Sequence, residues 1–223
     1  MIFFRGSLDK FDDDYFLDAD VAQVSKDTAL FIRVDKKSVL ATTNSVKKDA
    51  VVSPLPVERV KATDLRAAYN ITIDGTFLVC DCFGNEFSRM TSKPTGKQVL
   101  DALKKVPDSM AAASKKVQAE VDKADAALKI DDLKKAMPAL FNAFKLDKVG
   151  YEPCAKAQEL YASAIEKGRA KLKEYQETSN KDGMKALAES FKKTELEKEI
   201  ADAQASVVTG DKKVSAVETK KTE

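Results

Sequence analysis

Histidine and tryptophan are both absent from this chain of 223 residues. Without histidine there is no imidazole to act as a general base or as a metal ligand. This excludes Ser-His and Cys-His nucleophile activation and the commonest zinc sites. The sequence therefore predicts neither a cofactor nor a bound metal, and it gives little reason to expect an enzyme.

Cysteine is scarce, and its spacing argues against a disulfide framework. The chain has three cysteines and no Cys-x-x-Cys, so they cannot all pair internally. Cys80 and Cys82 flank Asp81, and on a strand they would share one face. We interpret them as small core residues, with a regulatory thiol pair as the alternative. Cys154 follows Pro153 and is interpreted as a small residue of a first helical turn, with a dipole-activated thiol as the alternative.

Neither a strong net charge nor a long apolar run is present. Lysine and arginine number 38 against 36 acidic residues, a net charge of +2, which is too balanced for the one-signed surface that nucleic-acid binding requires. No run approaches the ~20 apolar residues of a membrane span, and Arg5 interrupts the apolar start well before the ~7–15 residues of a signal-peptide core. We expect a cytoplasmic protein; a chain truncated at its N-terminus would instead be compatible with a periplasmic or secreted one.

Short apolar runs rich in β-branched and aromatic residues alternate with helical patterns before Pro107. Strands are predicted over 2–4, 30–34, 76–82 and 86–90, and helices over 8–25, 63–69 and 96–104. Gly84 and Asn85 form a hairpin turn between the last two strands. The order β-α-β-α-β-β-α predicts an α/β domain over residues 1–105, with a surface insertion near 36–61 that contains Pro54 and Pro56.

After Pro107 the composition shifts to Ala, Lys, Glu and Leu, and the apolar spacing becomes helical. In two segments, apolar residues recur at intervals of four, three and four residues, which places each set in one stripe along a helix. The two stripes are Val117, Val121, Ala124 and Leu128, and Leu133, Met137, Leu140 and Phe144. Breaks at 131–132, 150–153 and 179–183 divide residues 106–205 into all-α helical hairpins, with helices predicted over 154–178 and 184–205. Residues 206–223 have no periodicity and are predicted to be disordered.

Several stretches of the first half carry recognisable motifs. Leu65–Ile71 has a leucine followed by Tyr-Asn-Ile, Gly75–Val79 has Gly-Thr-Phe at the start of a strand, and Asp81–Glu86 has Asp-x-x-Gly. They resemble, in order, the leucine with Tyr-Gly-Val, the Pro-Thr-Phe with its strand and the Asp-x-x-Gly of the thioredoxin family. Three upstream stretches also resemble parts of that family. Phe3–Ser7 is similar to the strand before the redox motif, Phe16–Val21 to the helix that follows it, and Phe31–Asp35 to the next strand. The resemblance covers residues 1–105 apart from 36–61 and implies a thioredoxin-like domain.

The residues that carry redox chemistry in that family are missing here. By the resemblance, the two catalytic cysteines fall near Asp9 and Asp12, and the cis-proline corresponds to Gly75. A cis bond without proline costs ~2.5–4 kcal/mol, so we expect a trans peptide at Gly75. Thiol-disulfide exchange needs an accessible thiolate. The resemblance therefore implies a domain that has lost its redox activity.

An uneven cluster of acidic residues surrounds these positions: Asp9, Asp12, Asp13, Asp14, Asp18 and Asp20. The spacing differs from the Asp-x-Asp-x-Asp-Gly of calcium loops. We interpret the cluster as a solvated acidic helix start, with a divalent ion or a basic partner as alternatives. Lysine pairs at 115–116, 134–135 and 192–193 are interpreted as solubilising surfaces.

Two segments of the second half, 50 residues apart, begin with a similar pattern. The first segment contains Asp131, Asp132, Leu133, Ala136, Leu140 and Ala143, and the second repeats the first part with Lys181, Asp182, Gly183 and Ala186. The first segment resembles degenerate tetratricopeptide repeats, which have Gly-Asp-Tyr, a small residue, an apolar residue and Ala at these positions. The resemblance implies an array of antiparallel helices.

Together these observations favour a redox-inactive thioredoxin-like protein that binds a protein or peptide partner, or acts as a scaffold, through its helical repeats. One alternative is a thiol-disulfide oxidoreductase that uses Cys80 and Cys82, or Cys154. Another is a structural subunit of a larger assembly. The sequence leaves the partner and the oligomeric state open.

Overall fold

The computed structural model describes residues 2–4, 19–27, 29–34, 54–91 and 94–206. Most of them are helical. The elements of the first half are β1 (Ile2–Phe4), α1 (Ala19–Asp27), β2 (Ile32–Val34), α2 (Leu65–Ala68), β3 (Thr76–Cys80), β4 (Glu86–Met90) and α3 (Gly96–Lys104). Those of the second half are α4 (Val106–Lys129), α5 (Leu133–Lys145), α6 (Glu152–Glu177), α7 (Lys181–Ser190) and a helix α8 over 196–206. None of these helices is both long and apolar enough to cross a membrane.

The chain forms two compact units. The sheet unit comprises the described residues of Met1–Ser45, Pro56–Lys115 and Asp147–Tyr151. The helical unit comprises those of Val46–Leu55, Lys116–Leu146 and Glu152–Glu223. The division predicted at residues 105 and 106 stays a prediction.

The four described strands form one sheet in the order β2-β1-β3-β4. β1 is parallel to β2, and β3 is antiparallel to both β1 and β4. Ile2 pairs with Ile32 on one side and with Leu78 on the other. Phe87 is an extra residue in β4, because Val79 pairs with Ser88 and Cys80 with Glu86.

Both faces of β3 are buried, as its continuous apolar sequence predicts. Successive strand residues point to opposite faces, so Phe77 and Val79 pack with Val99 of α3, whereas Leu78 packs with Tyr69 on the other side. Helix α3 has the predicted bounds, because Thr95 and Gln98 form a capping box at its N-terminus. The sheet is therefore covered by helical residues on both sides.

A polar clasp holds residues Asp147–Tyr151 to the β3–β4 turn. The buried side chain of Asn85 donates to the carbonyl of Val149 (2.8 Å) and accepts from its N–H (2.9 Å). Asp81 accepts hydrogen bonds from the Asn85 amide (2.8 Å) and the Tyr151 hydroxyl (2.6 Å). The turn residue Gly84 has a φ of +81°, and its carbonyl accepts from Tyr69 Oη (2.7 Å). Within the sheet unit, side chains thus satisfy the backbone of an irregular segment.

The helical unit buries the two predicted stripes. Val121, Ala124, Met137 and Leu140 are each at most 2% exposed. Phe144 lies edge-to-face against Tyr161 of α6, with ring centroids 5.6 Å apart. These contacts pack α5 against α6, as helices with one apolar face require.

The predicted helix over 184–205 is interrupted. α7 ends at Ser190 and α8 begins at residue 196. Between them Lys193 adopts a φ of +63°, and the buried Thr194 hydroxyl donates to the Phe191 carbonyl (2.7 Å). The apolar positions 187, 191, 196 and 200 are four residues apart except between 191 and 196, where the interval is five. The turn accommodates this longer interval.

Several sequence predictions concern residues that the structure does not describe. They are the helical pattern over residues 8–18, the insertion up to residue 53 and the tail beyond Ser206.

Replacing Asn85 with alanine tests the clasp. The substitution leaves the buried N–H and carbonyl of Val149 without these partners, so we expect the sheet unit to lose about 2–4 kcal/mol of stability. Hydrogen exchange of the β3 amides measures this loss. As the control, Asn142→Ala removes an exposed amide with one 3.5 Å contact and is expected to change stability by less than about 0.5 kcal/mol. Equal protection in both variants would contradict the structural role of the clasp.

Candidate functional site

The sequence-predicted redox positions Asp9 and Asp12 lie outside the described residues. Of the acidic cluster, Asp20 is described, and it is exposed in the first turn of α1. Gly75 precedes β3 with a φ of +80°, and its peptide bonds are trans. Within the described ranges, no group of three or more acidic or cysteine side chains is arranged to hold a metal ion.

Cys80 and Cys82 do not lie side by side on a strand as predicted. β3 ends at Cys80, and Cys82 is an exposed turn residue. The reason is Asp81, whose carboxylate accepts from the N–H groups of Phe83 and Asn85, at 2.9 Å each, and so bends the chain into a turn. No disulfide joins the cysteines.

The thiol of Cys80 is poorly suited to redox chemistry. It lies beside Tyr69, and burial raises the pKa of Cys80 to about 11. At neutral pH about one thiol in ten thousand is then ionised. Cys154 is the third residue of α6 and is buried, in agreement with its interpretation as a small first-turn residue.

The strongest candidate site in the helical unit is a groove between α5 and α7 with a volume of about 600 Å³. We call it the α5–α7 groove and define it by Lys134, Pro138, Phe141, Lys145, Ala186 and Glu189. The four residues from α5 are spaced four, three and four residues apart. Each of them comes one residue after a member of the buried stripe of α5, which consists of Leu133, Met137, Leu140 and Phe144. Sequence reasoning missed the stripe that lines the groove, although its spacing was the available signal.

The floor of the α5–α7 groove is apolar. Pro138 and Ala186 are exposed and Phe141 is half-buried. Proline has no N–H, so the carbonyl of Lys134 lacks the donor that residue 138 supplies in an ordinary helix. The floor therefore suits the apolar side chains of a partner.

The charges around the groove are predominantly positive. Lys134 and Lys145 are exposed, and neither forms an ion pair with another described residue. Glu189 forms an ion pair with Lys192 (2.7 Å), which lowers the pKa of its carboxyl. Lys134 lies near the Asp132 carboxylate, whose pKa it helps to lower, but neither groove lysine is held in an ion pair with a described residue, and the groove suits an anionic group.

A smaller hollow of about 180 Å³ extends the same face. It shares Lys134 and Ala186 with the groove and adds Lys171 and Tyr175 of α6. The ammonium of Lys171 donates to the carbonyl of Asp131 (3.1 Å). Asp131 and Asp132 also line the hollow, so its positive and negative charges are balanced.

The sheet unit has a cavity of similar size, about 580 Å³, between β4 and α3. Its residues are mostly polar, and its charges are partly satisfied internally. Arg89 is bonded to Glu86 (2.7 Å) and to the carbonyl of Tyr69 (2.7 Å), and Asp101 and Lys105 add one charge of each sign. This cavity offers a weaker basis for selecting a ligand.

No protein-family profile, curated protein or solved structure matches this chain.

Alkylation with iodoacetamide tests the assignment of the cysteines. We expect Cys82 to react at neutral pH at least about tenfold faster than Cys80, because Cys82 is exposed and the Cys80 thiol stays protonated. The rate at Cys80 should rise with pH through about 11, where half of that thiol is ionised. Peptide mapping by mass spectrometry measures both rates. Rapid modification of Cys80 at neutral pH would contradict this picture.

Proposed function

We propose that this protein is a binding or scaffold module whose helical unit holds a protein segment in the α5–α7 groove. The observation that carries this proposal is an apolar floor, Pro138 and Phe141, flanked by two exposed lysines that form no ion pair with another described residue. Apolar surface at a concave site between helices is typical of peptide recognition. Neither the groove nor its rim contains a nucleophile paired with a base, so binding is the chemistry that these residues support.

The proposal includes a tetratricopeptide-like arrangement of the helices. Leu133 begins α5 after the N-cap Asp132, and Lys181 begins α7 after the N-cap Asn180. The two segments that resemble each other in sequence therefore both start helices that line the groove. Ala136 and Ala143 are buried, as small residues at close helix contacts would be. Stacked helical hairpins commonly present extended binding surfaces.

The proposal also includes a thioredoxin-like origin for the sheet unit. Its support is the strand order β2-β1-β3-β4 with one parallel pair, together with α2 and α3 at the predicted chain positions. Under this proposal the scaffold is kept while aspartates replace the catalytic sulfur atoms. A cytoplasmic location belongs to the same proposal, since no disulfide joins the three cysteines.

The alternatives have less support. An oxidoreductase requires a reactive thiolate, and the pKa of Cys80 is raised by burial. A structural subunit remains compatible with the helical surfaces, but no particular contact favours it. Binding is the function for which we can propose a specific site, the α5–α7 groove.

Blocking the groove with a bulky neutral residue tests the proposal. Ala186 is exposed and lines the groove, so Ala186→Trp should obstruct it without disturbing the core. The matched control is Ala155→Trp, which places the same side chain on an exposed position of α6. Each full-length variant is immobilised, exposed to native extract and analysed by quantitative mass spectrometry.

We expect proteins retained by the unaltered chain and by Ala155→Trp to be lost from Ala186→Trp, because the indole occupies the space that the partner needs. Circular dichroism verifies that both variants remain helical. Identical retained proteins for both variants would rule out the groove as the binding site.

A further inference from the structure

The distance between the two lysines of the α5–α7 groove sets the spacing of the charges that a ligand needs. Lys134 and Lys145 are eleven positions apart on one stripe of α5, and a helix rises 1.5 Å per residue, so they are about 16 Å apart along its axis. An extended peptide advances about 3.3 Å per residue. Carboxylates about five residues apart in such a peptide would therefore reach both lysines.

The apolar floor lies between these lysines. Pro138 and Phe141 are four and seven positions after Lys134, which places them about 6 and 10 Å along the axis. An apolar side chain midway between the two carboxylates would contact both. The opposite wall contributes Ala186, which leaves room for that side chain, and Glu189, whose charge is compensated by Lys192.

The backbone of α5 contributes one further feature. Because Pro138 has no N–H, the carbonyl of Lys134 receives no hydrogen bond from position 138. An extended chain presents backbone N–H donors at regular intervals, whereas a helical ligand uses most of its own internally. This feature favours an extended ligand over a helical one.

We propose that the α5–α7 groove binds an extended acidic peptide segment with a leucine or phenylalanine between two carboxylates about five residues apart. The inference rests on the proposed function, since it names the chemistry of the partner for the same groove. Basic segments are repelled by the two lysines, and neutral apolar segments lack the ionic contacts.

Fluorescence anisotropy with labelled synthetic octapeptides tests the proposal on the full-length protein. One peptide has glutamates at its second and seventh positions and leucine at its fourth, with serine and glycine elsewhere. Its companions replace both glutamates with glutamine or with lysine, or the leucine with serine. We expect the acidic peptide to bind about tenfold more tightly than the glutamine peptide, and more weakly as salt screens the charges.

Protein variants locate the interaction. The double variant Lys134→Gln, Lys145→Gln should lose about tenfold in affinity and most of the salt dependence. The charge-matched control Lys115→Gln, Lys116→Gln removes two exposed lysines of α4 that line neither helical cavity, and it should bind as the unaltered chain does. Replacement of the leucine by serine should also weaken binding.

Equal affinity for the acidic and glutamine peptides would overturn the inference, and so would equal affinity of the two double variants. An acidic peptide that binds Ala186→Trp as well as the unaltered protein would overturn it too, because binding would lie elsewhere. If no peptide binds while Ala186→Trp still loses its retained proteins, the inference fails and the proposed function stands. If retention is also insensitive to Ala186→Trp, both fail.

Discussion

Two rows of residues run along helix α5, one buried in the core and one lining the α5–α7 groove. The burial of the first row determines the direction in which the second row faces. Leu133, Met137, Leu140 and Phe144 are each at most 7% exposed. Because a helix turns about 100° per residue, the second row is rotated by that angle and lines the groove towards α7. Its members are two lysines, a proline and a phenylalanine, so the packing that stabilises the helical unit also assembles the candidate site. No separate loop or inserted element is needed to build it.

In the sheet unit, the residues around the β3–β4 turn are engaged in structure. Asp81 accepts four hydrogen bonds, from two backbone N–H groups, the Asn85 amide and the Tyr151 hydroxyl. A carboxylate with this many donors fixes the turn that carries Cys82. The less exposed of the two thiols in this unit, Cys80, is protonated at neutral pH because burial raises its pKa. The proposed loss of redox function is thus physically consistent with how this part of the chain is used.

Local patterns were predictable, whereas contacts between distant segments were not. The bounds of α3 and the 4, 3, 4 spacings of α4 and α5 depend on neighbours in sequence, and they were predicted closely. The Asn85–Val149 contact joins positions 64 residues apart, and no local pattern indicates it. The turn at Thr194 was missed because the apolar positions continue on both sides of it. The groove was not predicted because the sequence does not show that α7 lies opposite these lysines. Without α7, they are ordinary surface charges on α5.

The central claim is that a partner lies against Phe141, and site-specific photo-crosslinking tests it most directly. A benzophenone amino acid that replaces Phe141 in the full-length chain should form a covalent adduct with a bound partner on irradiation in native extract. The same group at Ala155 serves as the reference. The account predicts adducts at position 141 that are absent at position 155 and that map to an acidic segment of the partner. No adduct at position 141, or the same adducts at both positions, would contradict it.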